Sequence, residues 1–417
     1  MPDSPRSQPS TATGTSPLDG IRVVDAASMV MVPSAAVVLA DFGADVIKLE
    51  PPQGDLNRRG HLIPGMPTHG EQYCFLQDNR NKRSLAIDLK HPEARPVFER
   101  LIETADVFFT NTRHAALERN GLDYESLSKV NPRLIFAHGT GYGNAGAERD
   151  KPGFDAVCYW SRSGLESTLF PLEGELGPLP YGSGDHPSGM TLVTAVLLAL
   201  LQRDRTGRGS YVSTSLLANG AWSNAITMQA RLLDASFPDR RPRHDPINFA
   251  VVYYRASCGR AFKFTIIDHV ATWPRFCRAI GRSDLIEDER YATAEARTER
   301  MGEIVDLADR AFAREDLEHW RAAFAAHDIA FSALPTLDEI VADEQMEATN
   351  VFATLEHPRL GRVQTVDNPI QGSDLPRPAM AAAPELGQHS REILDDLGFE
   401  PAEVDQLVNS GSVIEAS

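Results

Sequence analysis

Between residues 21 and 49 the chain alternates apolar and punctuating residues in a way that leaves few folds open. Ile21-Arg22-Val23-Val24 reads as a short strand. The segment 33–42, carrying Ala35, Ala36, Val37, Val38, Leu39 and Ala40, predicts a helix that Gly43 stops. Asp45-Val46-Ile47-Lys48-Leu49 then predicts a second strand. Two strands joined through a crossover helix run parallel, since an antiparallel pair needs only a tight turn. Parallel sheets are stable when helices cover both faces. The unit therefore points to an α/β layer with ligands at the carboxyl ends of its strands.

The alternation continues with strands over 84–88, 106–110 and 133–137, a helix over 92–104, and short helices over 115–120 and 124–130. A helix over 187–201 and a strand over 210–214 extend the layer. That helix carries Met190, Leu192, Val193, Val196, Leu197, Leu198, Leu200 and Leu201, apolar nearly all round, which predicts burial in a core. After residue 233, Pro238, Pro242 and Pro246 alternate with Arg240, Arg241 and Arg243 in a polar crossing. A hairpin over 250–254 and 261–267, around Cys258-Gly259-Arg260, and helices through 326 follow. The expected organisation is a tail over 1–17, a large Rossmann-like α/β domain with a parallel sheet over 18–232 and a smaller α+β domain over 233–335. A loop-rich segment over 336–417 returns to the large domain, with an amphipathic helix over 391–397 closed by Gly398.

Such a chain of 417 residues, with 42% hydrophobic and 24% charged residues, has the composition of a soluble globular protein. A formal charge of −17 argues against nucleic acid and anionic membrane as partners, though not against a local basic pocket. The apolar run 190–201 is too short to span a bilayer. Residues 1–17 are rich in Ser, Thr and Pro and read as a disordered tail, not a signal peptide. Cys74, Cys158, Cys258 and Cys277 show no paired spacing, which predicts reduced thiols in a cytoplasmic protein. The histidines are scattered, so no metal site is expected.

Several constellations have two readings. Gly139-Thr140-Gly141-Tyr142-Gly143 follows a strand but lacks the third glycine of a dinucleotide loop, and reads better as a plain glycine-rich connection. Asn79-Arg80-Asn81-Lys82-Arg83, Lys90, Asn111-Thr112-Arg113 and Arg119 are each ordinary as solvated surface. Gathered at strand ends, they would form a cationic pocket for an anionic cofactor. Lys151-Pro152-Gly153-Phe154-Asp155 places a carboxylate ahead of an apolar segment. Gly184-Asp185-His186-Pro187-Ser188-Gly189-Met190 places a lone carboxylate at the mouth of the long apolar helix. Asp185 is read either as a helix cap or as an ionised nucleophile held in a tight turn.

These motifs, in this order, resemble the family III CoA-transferases, which include formyl-CoA transferase and carnitine CoA-transferase. The resemblance runs from Leu18-Asp19-Gly20 and Asp41-Phe42-Gly43-Ala44-Asp45 through Asn81-Lys82-Arg83-Ser84, Pro152-Gly153-Phe154-Asp155 and Gly184-Asp185. It ends at Leu386-Gly387-Gln388-His389-Ser390 and Leu397-Gly398. It implies an interlocked homodimer and CoA moving from an acyl-CoA donor to a carboxylic acid, with CoA as substrate and no permanently bound cofactor. Asp185 would be the nucleophile, passing through an aspartyl anhydride and an aspartyl-CoA thioester. The positive end of its helix would favour its ionised form, and N–H groups of Ser188, Gly189 and Met190 would steady the oxyanion.

By the same resemblance Ile87, Lys90, Asn111, Thr112, Arg113, Arg119, Phe154 and Asp155 align with CoA-contacting positions, Lys90 and Arg119 as phosphate partners. Tyr73 aligns with an active-site tyrosine. The alternative within this fold is an acyl-CoA racemase or an intramolecular CoA-shifting isomerase. The racemases carry a histidine where this chain has Phe154, which cannot accept a proton. A CoA-binding protein without activity is the third reading. Met29-Val30-Met31-Val32 stands where many members have a small or polar residue and then glycine, and with Phe154 it suggests an apolar acyl pocket. Arg255 would serve a second carboxylate.

Overall fold

A computed structural model describes residues 16–169 and 177–416, so most of the expected tail lies outside the described residues. The strands β1 (Arg22–Asp25), β2 (Asp45–Glu50), β3 (Arg83–Ile87), β4 (Val107–Thr110), β5 (Ile135–Thr140) and β6 (Ser210–Ser215) run parallel. They lie in the order β3-β2-β1-β4-β5-β6. The connecting helices are α1 (Met31–Asp41), α2 (Tyr73–Asn79), α3 (Ala94–Thr104), α4 (His114–Asn120), α5 (Tyr124–Val130), α6 (Leu165–Leu169) and α7 (Asp185–Thr206). One core fills the space between the sheet and α1 with α7, and a second lies on the opposite face under α3, α5 and the C-terminal helices.

Two physical details set the position of α7. Every residue of α1 is buried, because it lies between the sheet and α7. Gly189 allows that contact: a Cβ there would meet the Met31 carbonyl oxygen at 2.7 Å and also the Ser34 hydroxyl. Gly189→Val should drive α7 away from α1 and cost about 1–3 kcal/mol. A urea midpoint within error of the wild type would show that the close approach carries no stability.

The length of α7 exceeds the expected 187–201, and its burial is one-sided. Leu192, Val193, Val196 and Leu200 are buried, whereas Leu197, Leu198 and Leu201 are exposed. An all-round apolar helix is an expectation of contact on every side. Within this chain only one side receives it.

Other differences have local causes. Asn248 accepts a hydrogen bond from Ala250 N–H (2.8 Å) and closes a 3-10 turn over Phe249–Val251, so the strand expected over 250–254 shrinks to Tyr254–Arg255. It pairs with Ala261–Thr265, which pairs in turn with Ala330–Ala333, a strand with no apolar run to announce it. These belong to a second compact unit, 234–349, with its own aromatic core around Phe262, Phe264, Phe276, Phe312 and Phe324. The 350–416 segment belongs to the first unit. It contains an unexpected hairpin, Phe352–His357 with Gly361–Val366, and a two-residue strand, Val413–Ile414, antiparallel to β3.

Candidate active site

The carboxyl ends of the strands carry polar turns that brace one another. Asp55 accepts hydrogen bonds from Ser28 Oγ (2.7 Å) and Met29 N–H (3.0 Å), and Asn111 bonds both the N–H and the carbonyl of Ser28. Met29 is thereby held at φ 69°, a left-handed conformation that a non-glycine residue adopts only when its surroundings enforce it. Met31 lies in the core, so of the two methionines suggested for an acyl pocket only Met29 stands at this turn.

Behind the turn lies a buried charge cluster. Lys82 Nζ donates to Asp25 (2.8 Å), the Pro33 carbonyl (2.9 Å) and Asn79 (2.9 Å). Lys48 Nζ lies 2.8 Å from Asp55 and 3.5 Å from Asp25. Arg80 pairs with Asp41, and Arg83 with Asp45, Glu392 and Asp396. Of the cations expected in a pocket, Arg80 and Lys82 thus belong to a buried structural network, while Arg83 pairs with carboxylates nearer the surface. Lys90 and Arg119 differ: both are exposed, and neither side chain makes a hydrogen bond or ion pair among the described residues. Arg113 Nη1 lies 3.5 Å from the Asp150 carbonyl, and the Thr112 carbonyl faces His138. The Ile87 side chain is buried in the core, so only its backbone is placed to meet a ligand.

Two distant turns converge on Asp185. Gly141 and Gly153 touch, since a Cβ on Gly141 would lie 3.0 Å from the Gly153 Cα and one on Gly153 would lie 2.7 Å from Cys158 Sγ. The glycines after β5 therefore serve a close backbone crossing that fixes the Phe154-Asp155 turn. Asp155 caps the π-helical turn Ala156–Ser161 through Ala156 N–H (2.8 Å), and its second oxygen accepts from Gly184 N–H (3.1 Å). Gly184 is required in turn, because a Cβ there would meet the Tyr159 ring at 2.6 Å. π-helical turns of this kind recur at functional sites.

Asp185 is the first residue of α7 and does not cap it: Gly184 occupies the N-cap without a side-chain hydrogen bond. Among the described residues no donor engages the Asp185 carboxylate. Burial, then the negative charge of Asp155, push its pKa up to about 7; His186 opposes the shift and Asp78 adds to it. The helix end is expected to favour the ionised form; desolvation acts the other way and outweighs a terminal partial charge. The expected oxyanion donors are also spoken for. Ser188 N–H reaches back to the Gly184 carbonyl (3.4 Å), and Gly189 and Met190 lie a turn inside the helix, where N–H groups bond along the axis.

Spacing along the chain offered no sign of one further pair. His186 Nε2 lies 3.0 Å from Asp78 Oδ1 on α2, and Nδ1 lies 3.1 Å from the Gly182 carbonyl. Asp78 lies 108 positions away in the chain, so no local spacing could join them. Tyr73 is on the same helix α2, with its hydroxyl donating to the Pro67 carbonyl (2.9 Å). Phe154 projects into solvent, 60% exposed. Arg255 belongs to the second unit and donates to the Gly259 carbonyl (2.9 Å). Among the described residues no three His, Cys, Asp or Glu side chains gather as a metal site, and no helix is long and apolar enough to cross a membrane.

A parallel sheet covered on both faces, with braced polar turns and an unpartnered carboxylate at a helix head, is the layout of an α/β enzyme. Residues 18–390 match the family described as CoA-transferase family III, and the chain belongs to that family. It is similar to the formyl-CoA:oxalate CoA-transferase of Rhodopseudomonas palustris, 32% identical over 95% of this chain and 97% of that protein. It is also similar to the (R)-2-hydroxy-4-methylpentanoate CoA-transferase of Clostridioides difficile, 28% identical over 94% of this chain and 98% of that protein. A CAIB/BAIF family protein from Brucella suis superposes with a TM-score of 0.80 at 27% identity, covering 92% of this chain and 100% of its own. The protein is a CoA-transferase, for which CoA thioesters are substrates and not a resident cofactor.

Proposed function

We propose that Asp185 is the nucleophile that carries CoA between an acyl-CoA donor and a carboxylic acid. The observation that supports this most directly is the Asp185 carboxylate itself: placed at a helix head beside Gly184 and Asp155, yet with no hydrogen-bond donor among the described residues. A carboxylate kept for structure is normally hydrogen-bonded.

In the first step a carboxylate oxygen of Asp185 attacks the thioester carbonyl and expels CoA thiolate, leaving an aspartyl–acyl anhydride. The thiolate then attacks the aspartyl carbonyl and releases the donor acid, leaving an aspartyl-CoA thioester. An acceptor carboxylate attacks that thioester, and the same steps run in reverse. A carboxylate suits this work because it forms both an anhydride and a thioester, conserving the donor bond energy. Lys90 and Arg119, unpaired among the described residues, would meet CoA phosphates, while Asn111, Thr112, Arg113, Phe154, Asp155, the Ile87 backbone and Tyr73 would line the approach. Racemisation would need a second base where Phe154 stands, and a phenyl ring cannot supply one.

The exposed Leu198 and Leu201 of α7, with Trp222 81% and Ile226 89% exposed nearby in sequence, support an apolar surface covered by a second copy, as in an interlocked homodimer. Free cysteines fit a reducing, cytoplasmic setting.

Incubation with acetyl-CoA or succinyl-CoA and a panel of acids, followed by hydroxylamine trapping and peptide mass spectrometry, tests the reading. Asp185 should be recovered as its hydroxamate only when acyl-CoA is present. Trapping at another side chain, with Asp185 untouched, would overturn it. Because attack needs the ionised carboxylate, initial rates should climb with pH through about 7 and level off above. A rate flat between pH 5.5 and 8.5 would remove Asp185 ionisation from the mechanism.

A further inference from the structure

Resting on the reading of Asp185 as nucleophile, we infer that His186, pinned as an imidazolium between Asp78 and the Gly182 carbonyl, is the positioning residue that keeps Asp185 ionised for attack.

The protonation state follows from geometry. Each imidazole nitrogen of His186 faces an acceptor, Asp78 Oδ1 at 3.0 Å and the Gly182 carbonyl at 3.1 Å. A neutral ring has one N–H and would set a lone pair against one of these oxygens. Only the doubly protonated ring donates to both. Asp78 is buried, 3% exposed, and gains a charge-assisted bond it would otherwise lack. The His186 side chain is 46% exposed, so it loses only part of its hydration, and against that loss this bond and the charge of Asp78 raise it above its ordinary value.

The surrounding charges make that cation matter. Asp155 from the turn before the π-helical segment and Asp78 from α2 both disfavour an ionised Asp185. Tyr181 and Cys158, both of which feel the charge of Asp185, are raised by burial and stay neutral. Lys82 is committed to Asp25 and Asn79. His186 is the positive charge acting on Asp185, against two negative ones. Residues one apart on a helix do not face each other, so the influence is through-space charge, not proton transfer. Asp78 thus acts twice: it repels Asp185 weakly and holds the imidazolium that offsets the repulsion.

The test follows the Asp185 carboxyl directly, by 13C NMR of protein labelled at aspartate side-chain carbons, with Asp185→Asn assigning the signal. In His186→Gln the Asp185 midpoint should move up by about one pH unit. Transfer should then fall about fivefold at pH 7 and hardly at all at pH 9, since only the ionised fraction changes. His186→Lys, which keeps a cation, should restore both. An unchanged midpoint in folded His186→Gln, or equal losses at pH 7 and pH 9, would overturn the inference. Were the glutamine variant not to fold, the wild-type imidazole 15N signals decide: His186 must titrate above 6.5, its ordinary value, and a midpoint below it refutes the inference. Failure of the broader reading is separable. A wild type that transfers no CoA to any acid removes the nucleophile, while the two NMR midpoints still settle the charge pair.

Discussion

Asp185→Asn should abolish CoA transfer and, above neutral pH, make the folded chain more stable. The loss of activity should be about 10³-fold or more, because an amide cannot form the anhydride and the remaining binding groups do no covalent chemistry. The gain in stability comes from the same placement. In the folded chain the carboxyl has a pKa of about 7, against 3.8 for an unconstrained aspartate. Below pH 4 it is protonated in both states and adds no penalty. Between about pH 4 and pH 7 the unfolded chain sheds this proton while the folded chain keeps it, so wild-type stability falls as pH rises. Above pH 7 the penalty is fully present. For a partly solvent-screened group it amounts to about 2 kcal/mol, and asparagine has none of it. Thermal unfolding at pH 5 and pH 8.5 should show the variant gaining on the wild type mainly at the higher pH. A variant less stable than the wild type at both would mean that Asp185 carries structural bonds after all.

Asp25→Ala has the opposite character and should destabilise the large unit by about 3–5 kcal/mol. Asp25 is fully buried at the end of β1 and lies between two ammonium groups, 2.8 Å from Lys82 and 3.5 Å from Lys48. Its removal leaves Asp55 as the near partner of Lys48, and Lys82 with neutral acceptors only. The penalty is bounded by Lys82 itself. Burial, with Lys48 adding to it against the pull of Asp25, already lowers its pKa to about 8. It can therefore discharge when Asp25 goes, which limits the loss, and Lys82→Met should be milder still because Asp25 keeps Lys48 at 3.5 Å. The damage should extend to the site, since Asp55 and Lys48 in this cluster hold the Ser28-Met29 turn. Denaturant midpoints for both variants check this, and an Asp25→Ala protein within 1 kcal/mol of the wild type would show that the cluster is not coupled.

The parallel layer was legible because periodicity, glycine stops and strand length agree over short windows. Tyr124–Val130 falls where its pattern places it, and β1, β2, α3 and β6 do so within two residues. Where windows failed, a partner far along the chain was at work. Val413–Ile414 is too short for any pattern and exists because β3 offers an unpaired edge. The hairpin at Phe352–His357 has little burial on either face, so no alternation marks it. Arg80, Lys82 and Arg83 looked like surface or ligand cations because charge alone does not tell whether a carboxylate waits inside.

Asp185 draws the same line. By itself the sequence determined that a carboxylate stands between glycines at the head of a long apolar helix, in a chain with the ordered motifs of one family. Only the tertiary structure decided that it is not the cap, that Asp155 accepts from the Gly184 N–H beside it, and that Asp78 pairs with the neighbouring His186 ring. Helix and strand preferences are local and repeat over a few residues. A pKa depends on burial and on charges that the fold gathers from turns and helices far apart in the chain.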